Sequence, residues 1–241
     1  GWMRRRHQFE IEKKWVVKTP GIVLALAMAV KAYTKCGDGV LLQSPVYYPF
    51  SEVIRDNGRR VISNDLVLGE DNRYHIDFVD FEDKIVRENI KLFLLCNPHN
   101  PVGRVWTEEE LLHIGQICLR HGVTVVSDEI HHDFMGQHHV FAGLSDALAD
   151  ITVTCTSPSK TFNVAGLQAS NIIIKNENLR KAFIHQLDAA GVSQIGLMGL
   201  VACQAAYAHG DEWYEGMLSY VRGNIDYVRS FVEERLPDVR M

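Results

Sequence analysis

The sequence has few cysteines, no long apolar run and no extended basic patch. Its five cysteines are scattered without a C-x-x-C pair, which argues against a disulfide framework and favours a cytoplasmic protein. The longest apolar stretch, residues 21–30, is too short to span a bilayer. The charged N-terminus lacks the apolar core of a signal peptide, so we expect no membrane partner.

The charge of the chain gives no sign of a nucleic-acid partner. The formal net charge is -5, and the only basic cluster is Arg4-Arg5-Arg6, which we predict to be a solvated turn. The composition, 46% hydrophobic and 23% charged, is ordinary for a globular chain that can bury a sizeable core. The length of 241 residues fits one large α/β domain, or such a domain with a piece of another.

Apolar runs alternating with amphipathic segments predict the fold class. Strands are expected over residues 40–43, 60–63, 91–96, 123–127, 151–156 and 170–174. Helices are expected over residues 20–35, 49–57, 78–88, 108–121, 176–189, 193–209 and 211–235, the first with Thr19 as its N-cap. Since strands alternating with helices make right-handed crossovers, we predict a three-layer α/β/α fold with a mainly parallel sheet.

Three of the predicted strands end in polar residues. Asn97 and Asn100 follow the first of these strands, Asp128 follows the second, and Lys160 lies in a hydroxyl-rich turn after the third. In open α/β sheets, ligands bind outside the carboxyl ends of the strands. An asparagine, an aspartate and a lysine at successive strand ends therefore predict a cofactor site.

In their order along the chain, these motifs resemble those of the fold-type I pyridoxal-phosphate (PLP) enzymes, the aspartate-aminotransferase superfamily. They are Asn97-Pro98-His99-Asn100-Pro101-Val102-Gly103, Asp128-Glu129-Ile130-His131 and Ser157-Pro158-Ser159-Lys160. The segments 19–23, 43–50, 96–106 and 159–168 look like the cystathionine β-lyase or C–S lyase branch of that superfamily. The resemblance covers essentially the whole chain and implies a PLP-dependent transferase-like large domain.

The resemblance implies roles for individual residues around the PLP ring. Lys160 would form the Schiff base, and Asp128 would pair with the pyridinium nitrogen. Asn100 matches the donor to the phenolate oxygen. Tyr47 matches the position whose ring stacks on the cofactor, with the neighbouring Tyr48 as its rival. Glu129 is expected to make a structural hydrogen bond.

The phosphate of the cofactor is expected at the N-terminus of the first predicted helix. Backbone N–H groups at a helix N-terminus have no intrahelical partner, and this end of the helix dipole is positive. The backbone amides of Gly21, Ile22 and Val23 can therefore bind an anion. Ser157 and Ser159 would add hydroxyls, and Ser157 matches the phosphate-binding serine of the family.

Four histidines between positions 131 and 139 invite a metal hypothesis. No second ligand spacing supports it, so no metal is expected. His131 is instead predicted to lie near the cofactor, because it follows Asp128 where the superfamily often has a tyrosine. His138 and His139 are predicted to be in a loop.

One departure from the superfamily pattern bears on the reaction. Eight residues after Lys160, aminotransferases of this fold usually carry an arginine that binds the phosphate, whereas this chain has Gln168, as in the C–S lyase branch. The expected reaction is thus α,β-elimination of L-cystathionine or an L-cysteine-type substrate, giving a thiol, pyruvate and ammonia. In it, Lys160 would take the Cα proton. The alternatives are a class I/II aminotransferase and a non-catalytic regulatory protein on the same fold.

The resemblance also implies a division of the chain and an oligomeric state. Residues 1–219 would form the PLP-binding large domain, and residues 220–241 would start a connecting helix toward a small C-terminal domain. That domain and the N-terminal arm of the family are expected to be missing. In the superfamily, these parts carry the arginine that binds the substrate carboxylate. A homodimer is implied, and a piece without these parts could fold without turning over its amino-acid substrate.

Overall fold

The computed structural model of the chain describes residues 1–134, 136, 138–192 and 194–240. Its strands are β1 (Val16–Thr19), β2 (Gly39–Leu42), β3 (Arg60–Ser63), β4 (Val67–Leu68), β5 (Tyr74–His75), β6 (Leu92–Cys96), β7 (Thr124–Asp128), β8 (Thr152–Thr156) and β9 (Ser170–Ile174). Its α-helices are α1 (Trp2–His7), α2 (Ile22–Tyr33), α3 (Pro49–Asp56), α4 (Phe78–Arg87), α5 (Glu108–His121), α6 (Asp146–Ile151), α7 (Pro158–Thr161), α8 (Glu177–Ala189), α9 (Leu197–His209) and α10 (Asp211–Arg235).

A 7-stranded sheet organises the molecule, with the strand order β1-β9-β8-β7-β6-β2-β3. The strands β3, β2, β6, β7 and β8 pair in parallel. In contrast, β9 runs antiparallel to β8, and β1 runs antiparallel to β9. The short strands β4 and β5 form a separate hairpin that the sequence does not predict. The predicted mainly parallel sheet is confirmed.

Apolar cores cover both faces of this sheet. Leu92 and Leu94 of β6 belong to one cluster, which also contains residues of α2, α3 and α8. Phe93 and Leu95 belong to a second cluster, with residues of α4, α5 and α6. Because successive side chains of a strand point to opposite faces, the two clusters lie on opposite sides of the sheet. The predicted three-layer α/β/α architecture is therefore confirmed.

The start of the first predicted helix is wrong by two residues. Thr19 is the last residue of β1, where it pairs with Ser170 of β9, so it cannot be the N-cap. The helix α2 begins at Ile22 with Gly21 as its N-cap. Local sequence favours Thr-Pro-Gly as a helix start, but pairing with a strand some 150 residues away overrides that preference.

The predicted solvated turn at the N-terminus is also wrong. Residues Trp2–His7 form α1, in which Trp2 is buried. Arg5 and Arg6 both bond to Asp211 of α10. Cation and carboxylate lie about 200 residues apart in sequence, so no local pattern indicates this pairing.

Other predicted boundaries differ by a few residues. Residue 151 ends α6 and does not begin β8. The helix predicted from residue 193 begins at Leu197, and Ser193 itself lies outside the described residues. At the start of α5, Thr107 and Glu110 bond reciprocally in a capping box. In the part of the chain that the structure describes, no helix is long and apolar enough to cross a membrane.

The close packing of α9 on the segment after Lys160 gives a first prediction. A Cβ atom added at Gly199 would lie 2.4 Å from the backbone oxygen of Leu167. We expect Gly199→Ala to lower the free energy of unfolding by about 1–3 kcal/mol, as overpacking does. Gly216 of α10 meets nothing within 4 Å, so Gly216→Ala is the matched control and should raise stability by up to about 1 kcal/mol. Urea unfolding measures both, and equal effects would contradict the close contact.

Candidate active site

The carboxyl ends of β6, β7 and β8, which are neighbours in the sheet, open into a cavity of about 230 Å³. All of the predicted site residues except Ser157 line it: Gly21, Ile22, Val23, Tyr47, Asn100, Asp128, His131, Ser159 and Lys160. The walls that the sequence does not predict include Cys96, Ile130 and Ala165. Their apolar or weakly polar side chains carry no sequence signal for a site, whereas the polar strand ends do.

Lys160 is carried on the short helix α7. Ser157 is the N-cap of this helix, and its Oγ accepts a hydrogen bond from Ser159 N at 3.1 Å. Ser157 Oγ also lies 2.8 Å from Ala169 O, to which it donates. Because Ser157 is fully buried and bonded in this way, it lies behind the cavity wall. The structure thus places it in the support of α7, and its predicted phosphate contact stays a prediction.

Asp128 is the last residue of β7 and is only 6% exposed. Ile130 N donates to Asp128 Oδ1 at 3.1 Å, which favours the charged form slightly. Burial nevertheless raises the pKa of Asp128 to about 7, and the nearby Glu129 carboxylate adds to this rise. Burial destabilises the charged form of this carboxylate, and a cation placed beside it in the cavity would stabilise that form.

The turns that carry Tyr47 and Asn100 are joined through the backbone. Tyr47 N donates to Asn100 O at 3.0 Å, and Nε2 of His99 lies 3.0 Å from Pro45 O. Tyr47 lines the cavity and is 39% exposed, while Tyr48 is 65% exposed and lies outside the lining. The geometry therefore favours Tyr47 over its neighbour as the aromatic residue of the site.

The N-terminus of α2 forms one wall of the cavity. Gly21, Ile22 and Val23 lie there, and the first intrahelical bond runs from Ala25 N to Gly21 O. The N–H groups of the first turn have no intrahelical partner, and the dipole makes this end positive. This wall is suited to a phosphate or another anion.

Two residues that follow Asp128 differ in what they do. Burial lowers the pKa of His131, and the positive charge of Lys160 lowers it further. His131 can thus act as a neutral imidazole beside the lysine. Glu129 instead points into the protein, where Ser127 Oγ donates to it at 2.9 Å and Phe141 N at 3.1 Å. Its predicted structural role agrees with these bonds.

A second cavity, of about 430 Å³, adjoins the first. It shares Asn100, His131 and Lys160 with the first cavity, and most of its remaining wall is apolar. Its additional lining residues include Pro98, Pro101, Phe134 and Val221. Lys160 therefore lies where the two cavities meet.

The predicted departure at Gln168 lies outside both cavities. Gln168 is exposed and ends a short 3₁₀ helix with a φ of 48°, in the left-handed region. It does not line the described cavity wall, so its side chain is not placed to replace an arginine beside the N-terminus of α2.

A lysine, an aspartate and an asparagine at the ends of adjacent parallel strands define the class of an α/β protein with a covalent cofactor site. The chain belongs to the aminotransferase class I and II family, whose model matches residues 1–240. It is 46% identical over 244 residues to the cystathionine beta-lyase PatB of Bacillus subtilis strain 168, covering 100% of this chain and 63% of that protein. It is 30% identical over 239 residues to protein MalY of Escherichia coli K12, covering 99% of this chain and 61% of that protein.

Solved structures share the fold closely. Cystalysin from Treponema denticola, a structure that contains pyridoxal 5'-phosphate, matches with a TM-score of 0.94 and 41% identity over 98% of this chain and 61% of that chain. The PLP-bound C-S lyase from Staphylococcus hominis matches with a TM-score of 0.90 and 38% identity, at 98% and 61% coverage. This chain thus spans about three fifths of the length of these relatives.

The buried Asp128 carboxylate gives a prediction for the protein freed of bound small molecules. Its folded pKa of about 7 lies above the ordinary value of 3.8, so the unfolded chain releases this proton first as the pH rises. Stability should therefore fall between about pH 4 and pH 7, by at most about 1.4 kcal/mol for each unit of pKa shift. Asp128→Asn should remove this fall and be the more stable protein at pH 8.

The control for this experiment is Asp56→Asn, which changes an exposed carboxylate on α3. Urea unfolding from pH 4 to pH 8 gives the free energy of unfolding for each variant. If the wild type and Asp128→Asn had parallel profiles, Asp128 would not be a buried carboxylate with a raised pKa.

Proposed function

We propose that this chain is the cofactor-binding large domain of a PLP-dependent carbon–sulfur β-lyase. The enzyme would split L-cystathionine or an L-cysteine-type substrate into a thiol, pyruvate and ammonia. The observation that carries the proposal is that Lys160, Asp128 and Asn100 line one cavity at the ends of three adjacent strands. Relatives named as cystathionine beta-lyase and C-S lyase, at 46% and 38% identity, support the lyase branch.

The cavity offers a partner for each functional group of PLP. Lys160 has the amine for the aldehyde, Asp128 the carboxylate for the ring nitrogen, and Asn100 an amide donor for the phenolate oxygen. The N-terminus of α2 has the positive end for the phosphate. The raised pKa of Asp128 agrees with a role beside the ring nitrogen of PLP, because a protonated ring nitrogen would stabilise a carboxylate that burial destabilises.

When bound, PLP supplies an electron sink that lets bonds to the substrate Cα break. The protein must then orient the substrate and move protons. Lys160 lines both cavities, and its amine would take the proton of the substrate Cα. Asp128 would hold a proton on the ring nitrogen by its negative charge. His131, with its lowered pKa, can accept a hydrogen bond near Lys160 at neutral pH.

The second cavity supports a place for the substrate side chain. It opens beside Lys160 and has Phe134 and Val221 among its walls. An apolar wall of this kind suits the methylene and sulfur atoms of a thioether. The carboxylate partner of the substrate would come from parts of the relatives that this chain does not span.

We also propose a division of the chain and a homodimer. Residues 220–241 would lead from the large domain, residues 1–219, toward a further domain, because relatives are longer and the last turns of α10 are exposed. Leu197, Met198 and Val201 of α9 are exposed apolar residues, which supports a second copy of the chain on that face. All five cysteines are unpaired and four of them are buried, which supports a reducing cytoplasm.

The dimer proposal has a direct test on the full-length protein. Met198 is 71% exposed on α9, and a charge there would be desolvated in an interface. We expect sedimentation to show a dimer for the wild type and a tenfold or larger rise in the dissociation constant for Met198→Glu, or about 1.4 kcal/mol. Tyr227→Glu on α10, also an exposed position, is the control. A monomeric wild type would contradict the proposal.

The reaction is tested by adding PLP and L-cystathionine to the full-length protein. We expect pyruvate to form without any amino acceptor, because a β-lyase releases it from the substrate itself. A parallel assay supplies a keto acid and follows amino transfer. Transamination without pyruvate would identify an aminotransferase instead, and no reaction of either kind would favour a non-catalytic protein.

Lys160→Ala is the variant that separates the chemistry from simple binding. It should lower the rate of pyruvate formation by about 10³-fold or more, because both the covalent attachment and the Cα base are lost. Lys91→Ala, at an exposed position before β6, should leave the rate unchanged. A Lys160→Ala protein with wild-type turnover would overturn the assignment of the lysine.

A further inference from the structure

A buried carboxylate outside the cavity joins several parts of the chain. Asp133 lies in a 3₁₀ turn just after the Asp128–His131 motif and is 1% exposed. Its Oδ2 accepts a hydrogen bond from Thr161 Oγ1 at 2.6 Å. Its Oδ1 accepts from Trp2 Nε1 at 2.9 Å and lies 2.7 Å from His7 Nε2. Hence α1 and α7 meet on one side chain.

The backbone of the same residue binds a third helix. Tyr214 OH of α10 donates to Asp133 O at 2.6 Å. Around these bonds, the ring of Trp2 packs edge-on against Phe162 at 5.4 Å and against Tyr214 at 5.3 Å. The contacts form a dry cluster, since Trp2, Thr161 and Tyr214 are all buried. We call Asp133 with Trp2, His7, Thr161 and Tyr214 the Asp133 cluster.

The position of the Asp133 cluster links it to the reacting groups. Thr161 directly follows Lys160 in α7. Asp133 lies five residues after Asp128, on the segment that leaves the end of β7. The Thr161–Asp133 hydrogen bond is therefore a direct bond between the turn that carries the lysine and the segment that carries the aspartate. Thr161 and Asp133 are both buried, so this hydrogen bond is shielded from water.

The charge state of the cluster is suited to such a role. Burial opposes ionisation, but hydrogen bonds from His132 and His7 hold the pKa of Asp133 well below its ordinary value. Burial alone would lower the pKa of His132, yet the Asp133 carboxylate raises it. Burial lowers the pKa of His7, while Asp133 acts against this shift. The titratable groups that face Asp133 are thus His7 and His132, and Glu129 faces His132 and His138.

A metal ion is the rival explanation. One ligand atom each of His7, His132 and Asp133 lies within 4.8 Å of the others, and His132 Nε2 is buried 3.2 Å from Asp133 Oδ1. However, the Asp133 oxygens already accept bonds from Trp2 and Thr161, which a cation would have to share. The observed geometry is that of a carboxylate saturated by protein donors.

We infer that Asp133 is a positioning residue of the proposed lyase, which holds Lys160 in place relative to Asp128 through Thr161 and ties both to α1. The inference rests on the proposed function, because it concerns the placement of its lysine. Substituting one end of the bond should alter the chemical step more than substrate binding. A small misplacement of a reacting group can cost about 10²-fold in rate.

The test compares Thr161→Val with Thr161→Ser in the full-length protein. Valine keeps the shape of threonine and removes the hydroxyl, whereas serine keeps the hydroxyl. We expect Thr161→Val to lower kcat for pyruvate formation by about 10-fold or more, with KM changed by less than about 3-fold. It should also shift the pH at which the visible absorption of the bound cofactor changes. Thr161→Ser should restore both within about 2-fold.

The matched control is Thr152→Val on β8, which removes the hydroxyl of another buried threonine. Thr152 Oγ1 donates to Leu148 O at 2.6 Å and lies outside the cavity lining. A further readout uses the cofactor-free protein: amide hydrogen exchange over residues 158–164 should quicken in Thr161→Val and not in Thr152→Val. If Thr161→Val matched the control in kcat, absorption and exchange, the positioning role would be overturned.

Two other outcomes are distinct. A stoichiometric divalent metal in the wild type that is lost in His7→Gln would make the cluster a metal site and overturn the inference. A wild type that neither absorbs with PLP nor forms pyruvate would refute the proposed function, and this inference with it. A wild type that does both, with Thr161→Val equal to Thr152→Val, refutes the inference alone.

Discussion

The candidate site depends on the free-energy cost of keeping a carboxylate inside the protein. Three acidic residues at the end of β7 or just after it are buried, and they differ in the hydrogen bonds that they accept. Glu129 accepts bonds from Ser127 and Phe141, and Asp133 accepts bonds from Trp2 and Thr161. Among the described residues, only the Ile130 amide donates to the Asp128 carboxylate. Asp128 thus accepts fewer hydrogen bonds than Glu129 or Asp133, and of the three it is the one that lines the cavity.

This difference explains why a cationic cofactor ring would be bound there. An anion destabilised by burial gains from a positive partner, so a protonated ring nitrogen would stabilise the Asp128 carboxylate, whose pKa burial raises. The surrounding sheet makes the arrangement rigid, because β6, β7 and β8 are buried along most of their length. Loops at strand ends that are held in this way keep reacting groups in a fixed relation.

Much of the fold and site could be predicted from the sequence, because the signals are local. Buried apolar runs indicate the central strands, and the polar residues that follow them share an edge once the strands are parallel. Where the prediction was wrong, a long-range contact decides. Thr19 pairs with β9 rather than capping α2, and Arg5 and Arg6 bond to α10. The phosphate contact of Ser157 stays a prediction, since the structure shows only that its hydroxyl caps α7.

The same limit applies to the Asp133 cluster. The run His131-His132-Asp133 attracts attention in the sequence, but its partners Trp2, Thr161 and Tyr214 are distant along the chain. Only the folded chain shows that the aspartate joins helices around the lysine turn. A run of histidines and an aspartate can therefore arise from hydrogen bonding within the core as well as from metal binding.

The most direct measurement is a high-resolution crystal structure of the full-length protein grown with PLP. The account predicts continuous electron density from Lys160 Nζ to the cofactor, with an Asp128 carboxylate oxygen within hydrogen-bond distance of the ring nitrogen. Cofactor joined to another lysine, or a ring nitrogen that faces away from Asp128, would contradict it.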